Sequence, residues 1–206
     1  MNNDYKNLNY LVVGCGGLGC YIVEGLLRLD VKKIVVCDPD VFSISNLNRQ
    51  LYATIDNIGK LKVEIANNRA KDLGYKGEFI AHPSLFNEKM LEEIDIVFDA
   101  LDNINDKLKL EDYCSERNIP MIHGGVEGNV YEVGVCLPNH NLLHNVYKNA
   151  EDITDKKTNV ITVQMCASKQ LALITKELKE YFEMEEIINN ETRSYSNKTY
   201  EYTHGY

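Results

Sequence analysis

The sequence predicts an α/β fold, doubly wound about a mostly parallel sheet, with antiparallel strands added towards the C-terminal end. Three observations carry that expectation. Short apolar runs, Tyr10-Leu11-Val12-Val13, Ile34-Val35-Val36-Cys37 and Ile96-Val97-Phe98, have the length and composition of buried strands. The stretches between them repeat apolar residues at helical spacing, the first as Leu18, Ile22, Leu26 and Leu29. The first run also enters Gly14-Cys15-Gly16-Gly17-Leu18-Gly19 directly, a strand, glycine-rich turn and helix in that order. Such a succession is Rossmann-like.

Each element follows in order. In the glycine turn, Gly14 permits the tight bend, Gly16 lets backbone N–H groups approach a phosphate, and Gly19 lets the helix lie close on the strand. With Gly17 they are the candidate nucleotide contacts at the positive end of a helix reaching about residue 29. The second strand, 33–38, ends in Asp38, nineteen residues past Gly19, where a carboxylate accepts hydrogen bonds from ribose hydroxyls or simply shapes the turn Asp38-Pro39-Asp40. A polar stretch, Ser43-Ile44-Ser45-Asn46-Leu47-Asn48-Arg49-Gln50, precedes Ile58-Gly59-Lys60-Leu61-Lys62-Val63-Glu64, read as the opening of a helix to about residue 73. Lys62 in a first helical turn opposes the helix dipole. A bound polyphosphate would explain that misfit; two solvated lysines, Lys60 and Lys62, are the plainer reading.

A third strand, 78–82, leads to a short helix at 88–93, and a fourth, 94–100, leads through Leu101-Asp102-Asn103 to a charged helix ending near Arg117. Asp102 stands where open α/β sheets carry ligands, so it is a candidate magnesium ligand or a helix cap, and Asp99 suits either task. Strand five, 120–125, holds His123, read as a satisfied buried histidine, and residues 130–136 alternate as an added antiparallel strand does. Residues 138–158 read as a long patternless loop, a mobile cover or docking segment. A helix from Ile161 to about Phe182 and an edge hairpin within 192–202 complete the series.

At 206 residues the chain is most simply one domain, 1–206. A formal net charge of −9 repels polyanions, which argues against a nucleic-acid partner. Six cysteines, at 15, 20, 37, 114, 136 and 166, are scattered without a C-x-x-C pair, as in a cytoplasmic protein with reduced thiols and no zinc. The polar opening Met1-Asn2-Asn3-Asp4 and the lack of any run of eighteen apolar residues predict no signal peptide and no membrane span.

Taken together, Gly14-Cys15-Gly16-Gly17-Leu18-Gly19, Asp38, Ser45-Asn46-Leu47-Asn48-Arg49-Gln50, Gly59-Lys60-Leu61-Lys62-Val63-Glu64 and Asp99-Ala100-Leu101-Asp102-Asn103 resemble the ThiF/MoeB/HesA family, whose fold ubiquitin-activating enzymes share. The resemblance implies an ATP-dependent adenylyltransferase that activates the C-terminal glycine carboxylate of a ubiquitin-like sulfur carrier protein, releasing pyrophosphate. It implies that Asp38 holds the ribose, that Asn46, Arg49, Gln50 and Lys62 lie on the nucleotide, and that Asp102 holds magnesium. Arg49, Lys62 and Asp102 are then the catalytic candidates. A homodimer and a separate sulfur donor protein are implied as well.

Three departures qualify the resemblance. No arginine precedes Arg28, although family members commonly send an N-terminal arginine into the partner's site. The paired C-x-x-C motifs of many relatives are missing, so no zinc is expected. Residues 138–158 hold no cysteine, which points to a reaction ending at the adenylate; Cys166, just beyond, is read as a buried helix thiol. Two other readings stay open: an NAD-dependent oxidoreductase, which needs the same glycine turn and Asp38, and a non-catalytic nucleotide-binding partner subunit, which the missing arginine favours. A family member that activates a small molecule or a tRNA base is a variant of the adenylyltransferase reading.

Overall fold

The computed structural model of the chain describes residues 4–148 and 158–174. Six strands form one sheet: β1 (Asn9–Val13), β2 (Lys33–Cys37), β3 (Glu78–His82), β4 (Ile96–Asp99), β5 (Met121–Glu127) and β6 (Val130–Cys136). Their spatial order is β3-β2-β1-β4-β5-β6. The first five run parallel, and β6 returns antiparallel to β5 across Gly128-Asn129. This is the doubly wound arrangement expected, with one added antiparallel strand. β1 is buried at every position, as a strand flanked on both sides and covered on both faces must be.

The strands sort their side chains by alternation, since successive residues face opposite sides of a sheet. Val12, Ile34, Val36, Phe98 and Ile122 pack into one core with α1 (Gly17–Leu29), α2 (Lys62–Asp72) and α5 (Val160–Ala172). Leu11, Val13, Val35, Val97 and Met121 pack into the other with α3 (Ile104–Glu116) and α4 (Leu142–Val146). The right-handed crossovers of a parallel sheet put consecutive helices on one face until the chain reverses direction. That reversal, between β1 and β4, opens a crevice at the carboxyl ends of the strands.

Several boundaries differ from the sequence reading. α2 begins only at Lys62, because residues 58–61 are spent on tying down the β2–α2 connection: Phe42 N donates to the Lys60 carbonyl, Gly59 N to that of Phe42, and Gly59 has φ +83°. The segment expected as a helix at 88–93 is a 3-10 turn, Glu88–Leu91. Residues 138–148 are not patternless: Leu142 and Leu143 are buried, and the backbone N–H groups of Leu143 and His144 donate to the buried Glu111 carboxylate, which holds the start of α4. The C-terminal part of the long helix and the hairpin at 192–202 lie outside the described residues. Among the described residues, no helix is long and apolar enough to cross a membrane.

Candidate functional site

The glycine turn fills the crevice between β1 and β4. Gly14 has φ +94°, and a Cβ there would stand 2.7 Å from the Ala100 carbonyl oxygen, so the ends of β1 and β4 touch through the missing side chain. A Cβ on Gly19 would overlap the Gly14 carbonyl, which confirms its close-packing role. Gly16 caps α1 and Gly17 is its first residue, so the helix's unpaired N–H groups face the crevice.

Asp38 follows β2 and turns back to this loop. Its Oδ2 accepts from Cys15 N at 2.7 Å and its Oδ1 from Asp40 N at 2.8 Å. Lys62, at the start of α2, is buried and lies 3.5 Å from Asp38 Oδ2 and 2.8 Å from Asp40 Oδ2. Burial pushes the Lys62 ammonium down, but the Asp40 hydrogen bond and the Asp38 charge outweigh it and leave the pKa above the ordinary lysine value. The dipole misfit of Lys62 is therefore eased within the chain by two carboxylates, one of them exposed, and Lys60 is exposed where Lys62 is buried.

Residues 43–57 include two 3-10 turns, Ile44–Asn46 and Ile55–Asn57, and between them Gln50 reaches the glycine turn. Asn46 Oδ1 accepts from Ser43 N, and the half-buried Arg49 donates Nη1 to the Ser45 carbonyl and to Asn48 Oδ1. Among the described residues no carboxylate pairs with Arg49, so its remaining donors are available to an anion. Gln50 is 7% exposed; its amide lies 3.7 Å from where a Gly16 Cβ would be, and its buried Oε1 has no hydrogen-bond partner. A buried acceptor left unmatched beside the glycine turn is an exception that calls for an explanation. The stretch is tethered from below, where Tyr52 donates to Glu24 of α1, itself held bidentately by Arg69.

On the other side of Gly14, Asp102 is exposed in the β4–α3 loop, and Asn103 rather than Asp102 caps α3 by accepting from Asp106 N. Asp99 is neither cap nor exposed ligand. It is fully buried, paired with Lys107 at 3.0 Å and His123 at 2.7 Å. His123 is the satisfied core histidine expected, its other nitrogen facing Glu132 and Tyr147. No group of three or more His, Cys, Asp or Glu among the described residues is arranged to hold a metal ion. A single carboxylate suits a magnesium ion that arrives on nucleotide phosphates, because that ion keeps most of its shell from phosphate and water. All six cysteines are free and buried; burial pushes the Cys166 thiol up to about 12, which leaves it a poor nucleophile.

Sequence reasoning missed Asp40, Lys107, Glu132 and Tyr147. Asp40 had a signal, two residues beyond Asp38 at the same turn. The others come from a helix, a strand and the chain after α4, and only the tertiary fold brings them together.

The sequence matches the ThiF family over residues 2–204. It is 36% identical over 122 residues to the tRNA threonylcarbamoyladenosine dehydratase of Bacillus subtilis, covering 57% of this chain and 48% of that one. It is 33% identical over 123 residues to the adenylyltransferase and sulfurtransferase MOCS3 of Aedes aegypti, covering 58% and 28% respectively. The chain thus spans less than half the length of either relative. Among solved structures, E. coli MccB with ATP superposes with a TM-score of 0.72 at 20% identity, over 87% of this chain and 58% of that one, a likeness of fold.

Proposed function

From the premise that this chain belongs to the ThiF family, we propose that it is an adenylyltransferase that joins the AMP part of ATP to a carboxylate, and that the carboxylate is the C-terminal glycine of a ubiquitin-like sulfur carrier protein. The observation that carries the reading is Lys62, a buried and charged ammonium held by Asp38 and Asp40 at the glycine turn. A nicotinamide site would leave that lysine only its structural pairing with the two aspartates. A polyphosphate gives it a further task, since its negative charge competes for the ammonium with the exposed Asp40.

In the reaction the substrate carboxylate oxygen bonds to the α-phosphorus while the bond to the bridging oxygen breaks, and pyrophosphate leaves with that electron pair. No base is needed, because a carboxylate is ionised at neutral pH. Asp38 orients the ribose through lone pairs not used by Cys15 and Asp40. The α1 N-terminus and Arg49 meet the phosphates, and Lys62 steadies charge moving onto the leaving group; fixed donors of this sort supply about 3 kcal/mol each. Gln50 offers its unmatched acceptor to the nucleotide, and Asn46 shapes the turn that presents Arg49. Asp102 would hold magnesium, which supplies charge neutralisation on the phosphates.

The sulfur carrier is supported by the family resemblance and by the likeness to MOCS3, whose name joins the two transferase activities. A separate sulfur donor, a homodimer and a reducing cytoplasmic setting complete the proposal, the last supported by six unpaired thiols. A second reading is favoured by the greater identity to a tRNA threonylcarbamoyladenosine dehydratase: the same adenylation directed at a modified tRNA nucleoside. The net charge of −9 speaks against that polyanion.

Calorimetric titration with ATP and magnesium, beside one with NAD, tests the premise, and ATP–pyrophosphate exchange with added carrier or tRNA tests the substrate. ATP binding with carrier-dependent exchange is the expected result, and Arg49→Ala and Asp102→Ala should each lower exchange at least tenfold. NAD binding without ATP binding, or full exchange in both variants, would overturn the assignment; exchange that answers to tRNA alone would establish the second reading.

A further inference from the structure

We propose that Asp99, Lys107 and His123 act together as a positioning brace for Asp102, a buried charged cluster that holds the β4–α3 loop in the shape that presents the Asp102 carboxylate to a nucleotide-borne metal ion. The inference rests on the reading of Asp102 given above and extends it to residues that touch no ligand.

Asp99 ends β4 with no exposed surface, and each of its oxygens is committed. Oδ1 accepts from Leu101 N at 3.0 Å, the first peptide of the loop that carries Asp102. Oδ2 accepts from Lys107 Nζ at 3.0 Å and from His123 Nδ1 at 2.7 Å. Its main-chain carbonyl takes a hydrogen bond from Gln170 Nε2 of α5 at 3.1 Å. One residue thereby gathers its own loop, α3, β5 and α5. Burial pushes the Asp99 carboxyl up, but the Lys107 charge and the His123 hydrogen bond outweigh it and hold its pKa below the ordinary value.

The loop is fixed at both ends. Leu101 N is held by Asp99, while Asn103 Oδ1 accepts from Asp106 N and the Asn103 carbonyl accepts from Lys107 N at 3.1 Å. Lys107 closes the circuit, because its ammonium returns to Asp99 and to the Gly124 carbonyl at 2.9 Å. Asp102 lies between the two anchors and is the exposed member of the loop. Stability alone is a poor explanation of this cluster, since an apolar pair of similar volume commonly serves a core as well as a buried ion pair. Direction is what the cluster adds: three donors, Leu101 N, Lys107 Nζ and His123 Nδ1, converge on one carboxylate, and that carboxylate fixes the Ala100–Leu101 peptide at the entry to the loop that carries Asp102. Groups that orient metal ligands typically govern metal affinity by tenfold or more.

The test is built around the double variant Asp99→Asn/Lys107→Met, which removes both charges together and strands neither. The probe is Mn²⁺, its free fraction read by electron paramagnetic resonance, with a non-hydrolysable ATP analogue present; analogue binding in EDTA and the melting temperature are read alongside. The double variant is expected to bind the analogue without metal within twofold of the wild type while its apparent Mn²⁺ Kd rises about tenfold. His123→Leu, which removes one donor and leaves the ion pair, is expected to raise the Kd about threefold, and it serves as the test if the double variant does not fold. Wild-type Mn²⁺ affinity in a folded brace variant overturns the proposal. An equal loss of analogue affinity in EDTA also overturns it, because the effect would then be on the whole site. If Asp102→Ala binds Mn²⁺ as the wild type does, the reading of Asp102 falls and the brace with it, a result distinct from failure of the brace variants alone.

Discussion

Replacing Gly14 by alanine tests the site's geometry most directly. Its φ of +94° costs an L-residue about 1–2 kcal/mol. The new Cβ would also stand 2.7 Å from the Ala100 carbonyl oxygen and 3.0 Å from its carbon. Both are backbone atoms of the β4 exit and cannot rotate away, so the glycine turn or the β4–α3 loop must shift, at an overpacking cost of about 1–3 kcal/mol. The sum is about 2–5 kcal/mol. With a urea m-value of about 2 kcal/mol/M, the unfolding midpoint of Gly14→Ala should fall by about 1–2.5 M. Gly17→Ala is the matched control: its Cβ would meet Val163 at an ordinary 3.6 Å in a helical position, so stability should hold or rise by about 0.5–1 kcal/mol. Gly16→Ala, whose Cβ would meet the Gln50 amide at 3.7 Å, should instead lower nucleotide affinity at least tenfold, because its methyl group stands where backbone N–H groups would approach a phosphate. A Gly14→Ala midpoint within about 0.3 M of wild type would refute the argument that β1 and β4 meet through that missing side chain.

Lys62→Met should cost about 1–3 kcal/mol in urea unfolding, since the pair with exposed Asp40 is worth little while buried Asp38 keeps only its two N–H donors, and ATP affinity should drop at least tenfold. Asp99 and Glu24 have depressed carboxyl pKa values, so their contribution to stability is present above 3.8 and 4.5 respectively and is lost as the pH falls below them. The urea midpoint should therefore decline through that acid range, and less steeply in Asp99→Asn/Lys107→Met. Lys62 has the opposite sign: its raised pKa gives a contribution complete below 10.5 and lost above it, and Lys62→Met should flatten the alkaline limb. The six buried thiols should resist a thiol reagent at neutral pH and all react in denaturant; prompt labelling of the native protein would contradict their burial.

The parts of this molecule that are local in sequence were legible there. The strand, glycine turn and helix at 9–29 are joined by consecutive residues, and the position of Asp38 follows from the fixed length of one strand–helix–strand unit. The alternation of residues 130–136 was likewise enough to mark an edge strand returning antiparallel. Lys62 was legible as a misfit but not in its resolution, because nothing in the sequence said whether Asp40 would turn towards the helix or away. The start of α2 was read too early for a related reason: Leu61 and Ile58 carry helical spacing, but their backbones are drawn into bridges with Val41 and Phe42 across the connection. The short α4 escaped notice because its start depends on Glu111, which comes from a different helix. The cluster around Asp99 depends on four separate elements, and pairings at that sequence distance leave no periodic trace.

The place of β1 at the centre of the sheet also sets the order of events during synthesis. It is apolar apart from Asn9, yet one of its two neighbours, β4, begins only at residue 96, after β2, β3 and two helices have been made. Domains emerge from the ribosome N-terminal end first, at about 5–20 residues per second. An aggregation-prone strand must therefore wait for seconds with one edge unpaired, and the glycine turn stays without the Ala100 wall it leans on until β4 arrives. Nascent chains stalled before residue 96 should need a chaperone, and those released past residue 100 should be the first able to retain a nucleotide.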